Sequence, residues 1–117
     1  MYKPFRIANR LEIVKNGACF LDEKRIELLR LVWQHGSILA ASKEMRMSYQ
    51  QAWYIISDIN ATAPLPVVVR QRGGANGGGA TMTDYGLRLI NRYVALSERF
   101  DECIASLDND LQEMCGF

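Results

Sequence analysis

Ser48, Tyr49, Gln50 and Tyr54 fall within one short run and offer hydroxyls and a carboxamide. Such groups bond the edges of bases and the oxygens of phosphates, and a glutamine amide can engage both edge atoms of an adenine. Arg46 precedes the run; Arg70 and Arg72 follow it. Guanidinium groups at such places neutralise phosphates. Next comes Gly73-Gly74-Ala75-Asn76-Gly77-Gly78-Gly79, five glycines in seven residues. A backbone without side chains brings its N–H groups close to phosphate, which makes Gly74, Gly77, Gly78 and Gly79, with Asn76 among them, candidate backbone contacts. Ser37, at the start of an earlier helix, completes the set of candidate DNA contacts.

Other chemistries find less support. The glycine tract lacks a Gly-Lys-Ser/Thr ending and the spacing of a dinucleotide fingerprint, so it does not read as a nucleotide site. His35 is the one histidine and stands before Gly36, where a helix end favours a cation. No serine, cysteine or carboxylate pattern makes a catalytic set with it. Cys19, Cys103 and Cys115 are odd in number and widely spaced. They form neither a disulfide framework nor a zinc box, and read as small apolar groups in a reducing cytosol. No enzyme activity, metal or cofactor is expected. No apolar run reaches the roughly 20 residues that span a bilayer, and no secretory signal is visible.

The elements that must hold these residues follow from the pattern. Asn16-Gly17, between short apolar runs, predicts a β-hairpin over about 9–21. Asp22 predicts the cap of a first helix, with Ile26, Leu29, Val32 and Trp33 at helical spacing before Gly36 ends it. Ser37 caps a short second helix to Met45 or Arg46. Ser48 caps a third, Tyr49 to about Thr62, with Ala52, Trp53, Ile56 and Ile59 as its expected buried stripe. Pro64 and Pro66 stop helical structure; Val67 to Arg72 and Ala80 to Thr83 read as two strands joined by the glycine tract. Thr83 caps a last helix, Asp84 to about Met114. In it Ile90, Tyr93, Ser97, Phe100, Ile104, Leu107, Leu111 and Met114 alternate steps of three and four. That is a heptad seam, and a second copy of the chain is the economical way to cover it.

Composition bounds the reading. The chain has 117 residues, 49% hydrophobic and 23% charged, which suits one globular domain. Its net charge of +1 argues at first against a nucleic-acid partner. The charge is unevenly placed, however. All 14 Lys and Arg precede residue 100 with 8 of the 13 acids, for +6; Asp101, Glu102, Asp108, Asp110 and Glu113 follow with no base, for −5. Paired through the acidic end, two copies would present two basic bodies.

Residues 37–62 thus fit a helix-turn-helix, and the glycine-tipped hairpin supplies a wing. Gly36-Ser37-Ile38, Ser48-Tyr49-Gln50-Gln51-Ala52-Trp53, the run from Arg70 through Ala80, and Thr83-Asp84-Tyr85-Gly86 resemble the N-terminal domain of molybdate-responsive ModE-type transcription regulators. That domain is itself similar to the DNA-binding domain of LysR-type regulators. The resemblance covers about residues 20–100. It implies a dimeric, DNA-binding winged helix with the long helix at the dimer interface. Two positions depart from the family pattern: Asn76 stands near the usual wing lysine, and Gln50 replaces a basic residue early in the third helix. The chain ends at Phe117, so no molybdate-binding domain is expected within it, and molybdate is not an expected ligand.

The expected fold is α+β, mostly α: a winged helix-turn-helix over 1–83 with an N-terminal β-hairpin, then a long dimerisation helix over 84–117. The expected function is a sequence-specific, homodimeric transcriptional regulator. Its partners are double-stranded DNA and a second copy, with no membrane. Ile90, Tyr93, Phe100, Ile104, Leu107, Leu111 and Met114 are the expected dimer contacts. Two alternatives are a winged-helix protein-interaction module that no longer binds DNA, and a small ligand-binding or catalytic domain.

Overall fold

The computed structural model describes residues 3–71 and 79–116. It is mostly helical and compatible with a winged helix. Strands β1 (Ile13–Lys15) and β2 (Ala18–Leu21) form an antiparallel hairpin. Its turn residues Asn16 and Gly17 both take positive φ, 53° and 82°, as a tight hairpin requires. The hairpin is shorter than the expected 9–21. Its register shifts between Ile13 and Val14, and the carbonyl of Leu11 accepts instead from the Tyr93 hydroxyl at 3.1 Å.

Helix α1 (Glu23–His35) begins where the Asp22 carboxylate accepts from the Arg25 N–H at 2.8 Å, and ends at left-handed Gly36. Ile26, Leu28, Leu29, Leu31 and Val32 are buried, because α2, α3, α4 and β4 all pack around this helix. Trp33 is not among them. It is 59% exposed, a correction to the expected stripe: it lies beyond the part of the helix surface that the neighbouring elements cover at Leu28, Leu29, Leu31 and Val32. Helix α2 (Ile38–Glu44) starts at Ser37, whose hydroxyl accepts from Ala40 N–H. It ends in a Schellman turn, with Arg46 N–H on Lys43 O and Met47 N–H on Ser42 O. Helix α3 (Tyr49–Thr62) carries a full capping box, in which Ser48 and Gln51 bond each other's backbone N–H.

Strands β3 (Val68–Arg70) and β4 (Ala80–Met82) pair antiparallel. Three junctions fix this second hairpin on the helices. The Asn60 amide, near the end of α3, donates to Val68 O and accepts from Val67 and Val68 N–H at 2.8–3.1 Å. Ala80 N–H donates to Gly36 O, and a Cβ at Gly79 would lie 3.2 Å from that same oxygen. Thr83 donates its hydroxyl to Pro66 O and caps the next helix at Gly86 N–H.

Helix α4 (Asp84–Met114) runs 31 residues, about 46 Å at 1.5 Å per residue, and the molecule extends 63 Å along its longest axis. Its first turns belong to the body. Gly86, Ile90 and Tyr93 are buried, and a Cβ on Gly86 would meet Val67 O at 2.6 Å. Beyond Tyr93 the N-terminal segment lies along the helix, running the opposite way. Leu11 meets Tyr93, Ile7 N–H donates to the Asp108 carboxylate at 3.0 Å, and Gln112 donates to Phe5 O at 2.6 Å.

Candidate nucleic-acid interface

The buried residues of α3 are Ala52, Ile56 and Ile59. The helical repeat then turns Tyr49, Gln50, Trp53 and Tyr54 outward, and all four are exposed. Trp53 was expected in the core. It is 41% exposed: the packed face of α3 is made by Ala52, Ile56 and Ile59, and Trp53 lies about 100° round the helix from Ala52.

Arg70 crosses from β3 to this face. Its guanidinium donates to the Tyr49 hydroxyl at 3.1 Å and lies 5.7 Å from the centre of the Trp53 ring. Hairpin and helix therefore present one joined surface: a cation, a phenol and an indole, with exposed Gln50 and Tyr54 next to the two aromatic residues along the helix. Arg46 is exposed in the turn just before α3, at the end where unpaired backbone N–H groups give partial positive charge.

The serines are committed differently. Ser37 and Ser48 accept from Ala40 and Gln51 N–H as caps, which leaves each hydroxyl proton free to donate. Gly79 lies against Gly36 O, so its small size serves packing within the domain. Arg72, Gly74, Asn76, Gly77 and Gly78 lie outside the described residues. Part of the positive charge is also spent internally: Arg25 pairs with Asp58 at 2.8 Å, between α1 and α3, and Lys15 donates to Thr62 O.

The expected seam on α4 divides. Ile90 and Tyr93, expected among the dimer contacts, are buried in the core of their own chain, 6% and 5% exposed. Their three-and-four spacing marks burial without saying against which chain. Phe100, Ile104 and Leu111 are half-buried, while Leu107 and Met114 are exposed. Leu96, exposed and a whole number of turns from Leu107, joins that open flank although it lies outside the heptad positions.

Two further arrangements bear on other chemistry. An open groove of about 1070 Å³ lies between the N-terminal segment, α1 and α4. Arg6, Arg10, Lys24 and Arg30 share its walls with Glu12, Glu23, Glu27 and Glu98, and neither histidine nor cysteine lines it. His35 does not line that groove; it touches Glu44 at 2.5 Å, joining the ends of α1 and α2. Glu12, Cys19 and Asp22 bring ligand atoms within 4.8 Å of one another, with Asp22 already engaged as the α1 cap. Burial first, and then the Asp22 carboxylate, push the Cys19 thiol up from its ordinary pKa. Among the described residues no helix is long and apolar enough to cross a membrane.

No family model matches the chain. It is 37% identical over 111 residues to the molybdenum transport protein ModE of Azotobacter vinelandii, covering 95% of this chain and 41% of that protein. It is 41% identical over 92 residues to the transcriptional regulator ModE of Haemophilus influenzae, covering 79% and 36%. With the DNA-binding transcriptional dual regulator ModE of Escherichia coli K12 it shares 37% identity over 91 residues, 78% of this chain and 35% of the relative. The chain thus spans well under half the length of these relatives, and it matches an N-terminal part of them.

Proposed function

We propose, from the chain's homology to the N-terminal part of ModE-type regulators, that it is the DNA-binding module of a transcriptional regulator. In this reading α3 enters the major groove and presents Tyr49, Gln50 and Tyr54 to base edges and adjacent phosphates. Arg46 and Arg70 neutralise phosphates on either side, with Arg72 and the glycine tract extending the β3–β4 contact as a wing. Ser37 and Ser48 can add a hydroxyl donor each at the helix ends. The observation that carries the reading is the Arg70–Tyr49 bond, which joins the hairpin to the exposed face of α3.

The body over 1–83 would hold the DNA surface, and the segment 84–117, which contains α4, would pair two copies. Leu96, Leu107 and Met114 supply the open flank for that pairing, with half-buried Phe100, Ile104 and Leu111 beside it. A dimer places two α3 helices one helical repeat of DNA apart, so a two-fold symmetric site is expected.

The test is recovery of bound fragments from sheared genomic DNA at low salt, followed by gel shift. Retention of a common two-fold sequence supports the reading. Absence of any bound DNA from a chain that still self-associates would instead favour a protein-interaction module.

A further inference from the structure

Three aromatic side chains are exposed on one helix: Tyr49 at 40%, Trp53 at 41% and Tyr54 at 64%. The two tyrosines carry hydroxyls suited to polar edges. Trp53 is mostly apolar, and single exposed apolar groups are common on any surface. Two observations set it apart. It stands one turn from Tyr49 on the outward face of α3, and Arg70 is held over its ring while bonded to the Tyr49 hydroxyl. The guanidinium covers part of the ring and fixes a charge beside it. Such a pairing suits an anionic partner with an apolar feature near its phosphates, and suits an uncharged protein surface poorly. The major groove displays one apolar group, the 5-methyl of thymine.

We propose that Trp53 is a specificity residue that contacts a thymine methyl group, with Arg70 as the cation that orients the indole and engages the neighbouring phosphate. The proposal rests on the DNA-binding reading above and deepens it by naming the base. Tyr49 is a positioning residue in this arrangement, since its hydroxyl holds the guanidinium in place. The arrangement exists before any DNA arrives, so little side-chain freedom is lost on binding.

The test uses a fragment recovered from genomic DNA by the full chain, prepared once with thymine and once with uracil throughout. Uracil pairs identically and lacks only the methyl group. The unsubstituted chain is expected to prefer the thymine form about tenfold, the scale of one base-pair discrimination. Trp53→Ala is expected to bind both forms equally and more weakly, and Trp53→Phe to keep part of the preference. In a Trp33→Phe chain Trp53 is the sole indole, and its emission should change on adding the thymine fragment. A Trp53→Ala chain that melts normally and keeps the full thymine preference overturns the proposal, as does unchanged emission on binding. No DNA binding by the unsubstituted chain overturns the DNA-binding reading and this proposal together, an outcome distinct from binding without thymine preference.

Discussion

Arg46 holds φ at 56°, in the left-handed region, to turn the chain from α2 into α3. Glycine is the usual residue there, and a side chain costs roughly 1 kcal/mol. An arginine kept at that cost, at the start of the exposed helix, fits a phosphate contact. Arg46→Gly should therefore leave stability within about 1 kcal/mol by thermal melt, the relieved strain offset by unfolded-chain entropy. DNA affinity at low salt should fall; equal affinity would remove Arg46 from the interface. The cysteines offer a second prediction. Cys103 is exposed, whereas Cys19 is half-buried with its pKa pushed up, so at neutral pH less of it is the reactive thiolate. Alkylation followed by peptide mapping should modify Cys103 first, and Cys19 should need higher pH than an ordinary thiol. At this scale the sequence was least legible. A list of apolar residues at helical spacing does not separate Ala52 from Trp53, and only the packing partners show which of the two faces inward.

At the scale of elements, polar end-markers are what make the helices predictable. Asp22, Ser37, Ser48 and Thr83 each accept the backbone N–H three residues into the helix they open, and each is recognisable from its type and place. Strand lengths and element junctions were not legible in that way. Nothing about Asn60 in the sequence says that its amide will hold the end of α3 to β3, since the partner groups are backbone. Those three hydrogen bonds make it the main tie between the two elements. Asn60→Ala should lower stability by about 2 kcal/mol in denaturant melts, because it orphans partly buried backbone groups. The hairpin carrying Arg70 should then exchange its amide protons faster than α1 does. Equal loss across both elements would make Asn60 a general core residue and not a specific tie.

At the scale of the whole molecule, the chain is a body with a long projecting helix, and the two ends differ in charge. The N-terminal segment, with Lys3, Arg6 and Arg10, lies along the acidic part of α4 and covers one flank of it through Asp108 and Gln112. The sequence pattern showed a seam too long for one domain. It did not show that the chain's own N-terminal segment would cover part of that seam. What stays open is the flank of Leu96, Leu107 and Met114. Leu107→Glu should shift the protein toward monomer in sedimentation without lowering its helix content, since Leu107 is 47% exposed and far from the core. An unchanged dimer would place the contact elsewhere, and a chain that is monomeric throughout would remove the pairing. In the proposed function the α3 face with Arg70 binds DNA through its phosphates. The most direct test of that binding is the affinity for one recovered fragment across salt concentrations, measured on the unsubstituted chain and on Arg70→Ala. Tight binding at low salt is expected, with a steep linear fall of log affinity with log salt and a slope shallower by about one for Arg70→Ala. Binding that ignores salt, or an Arg70→Ala line that overlies the original, would contradict it.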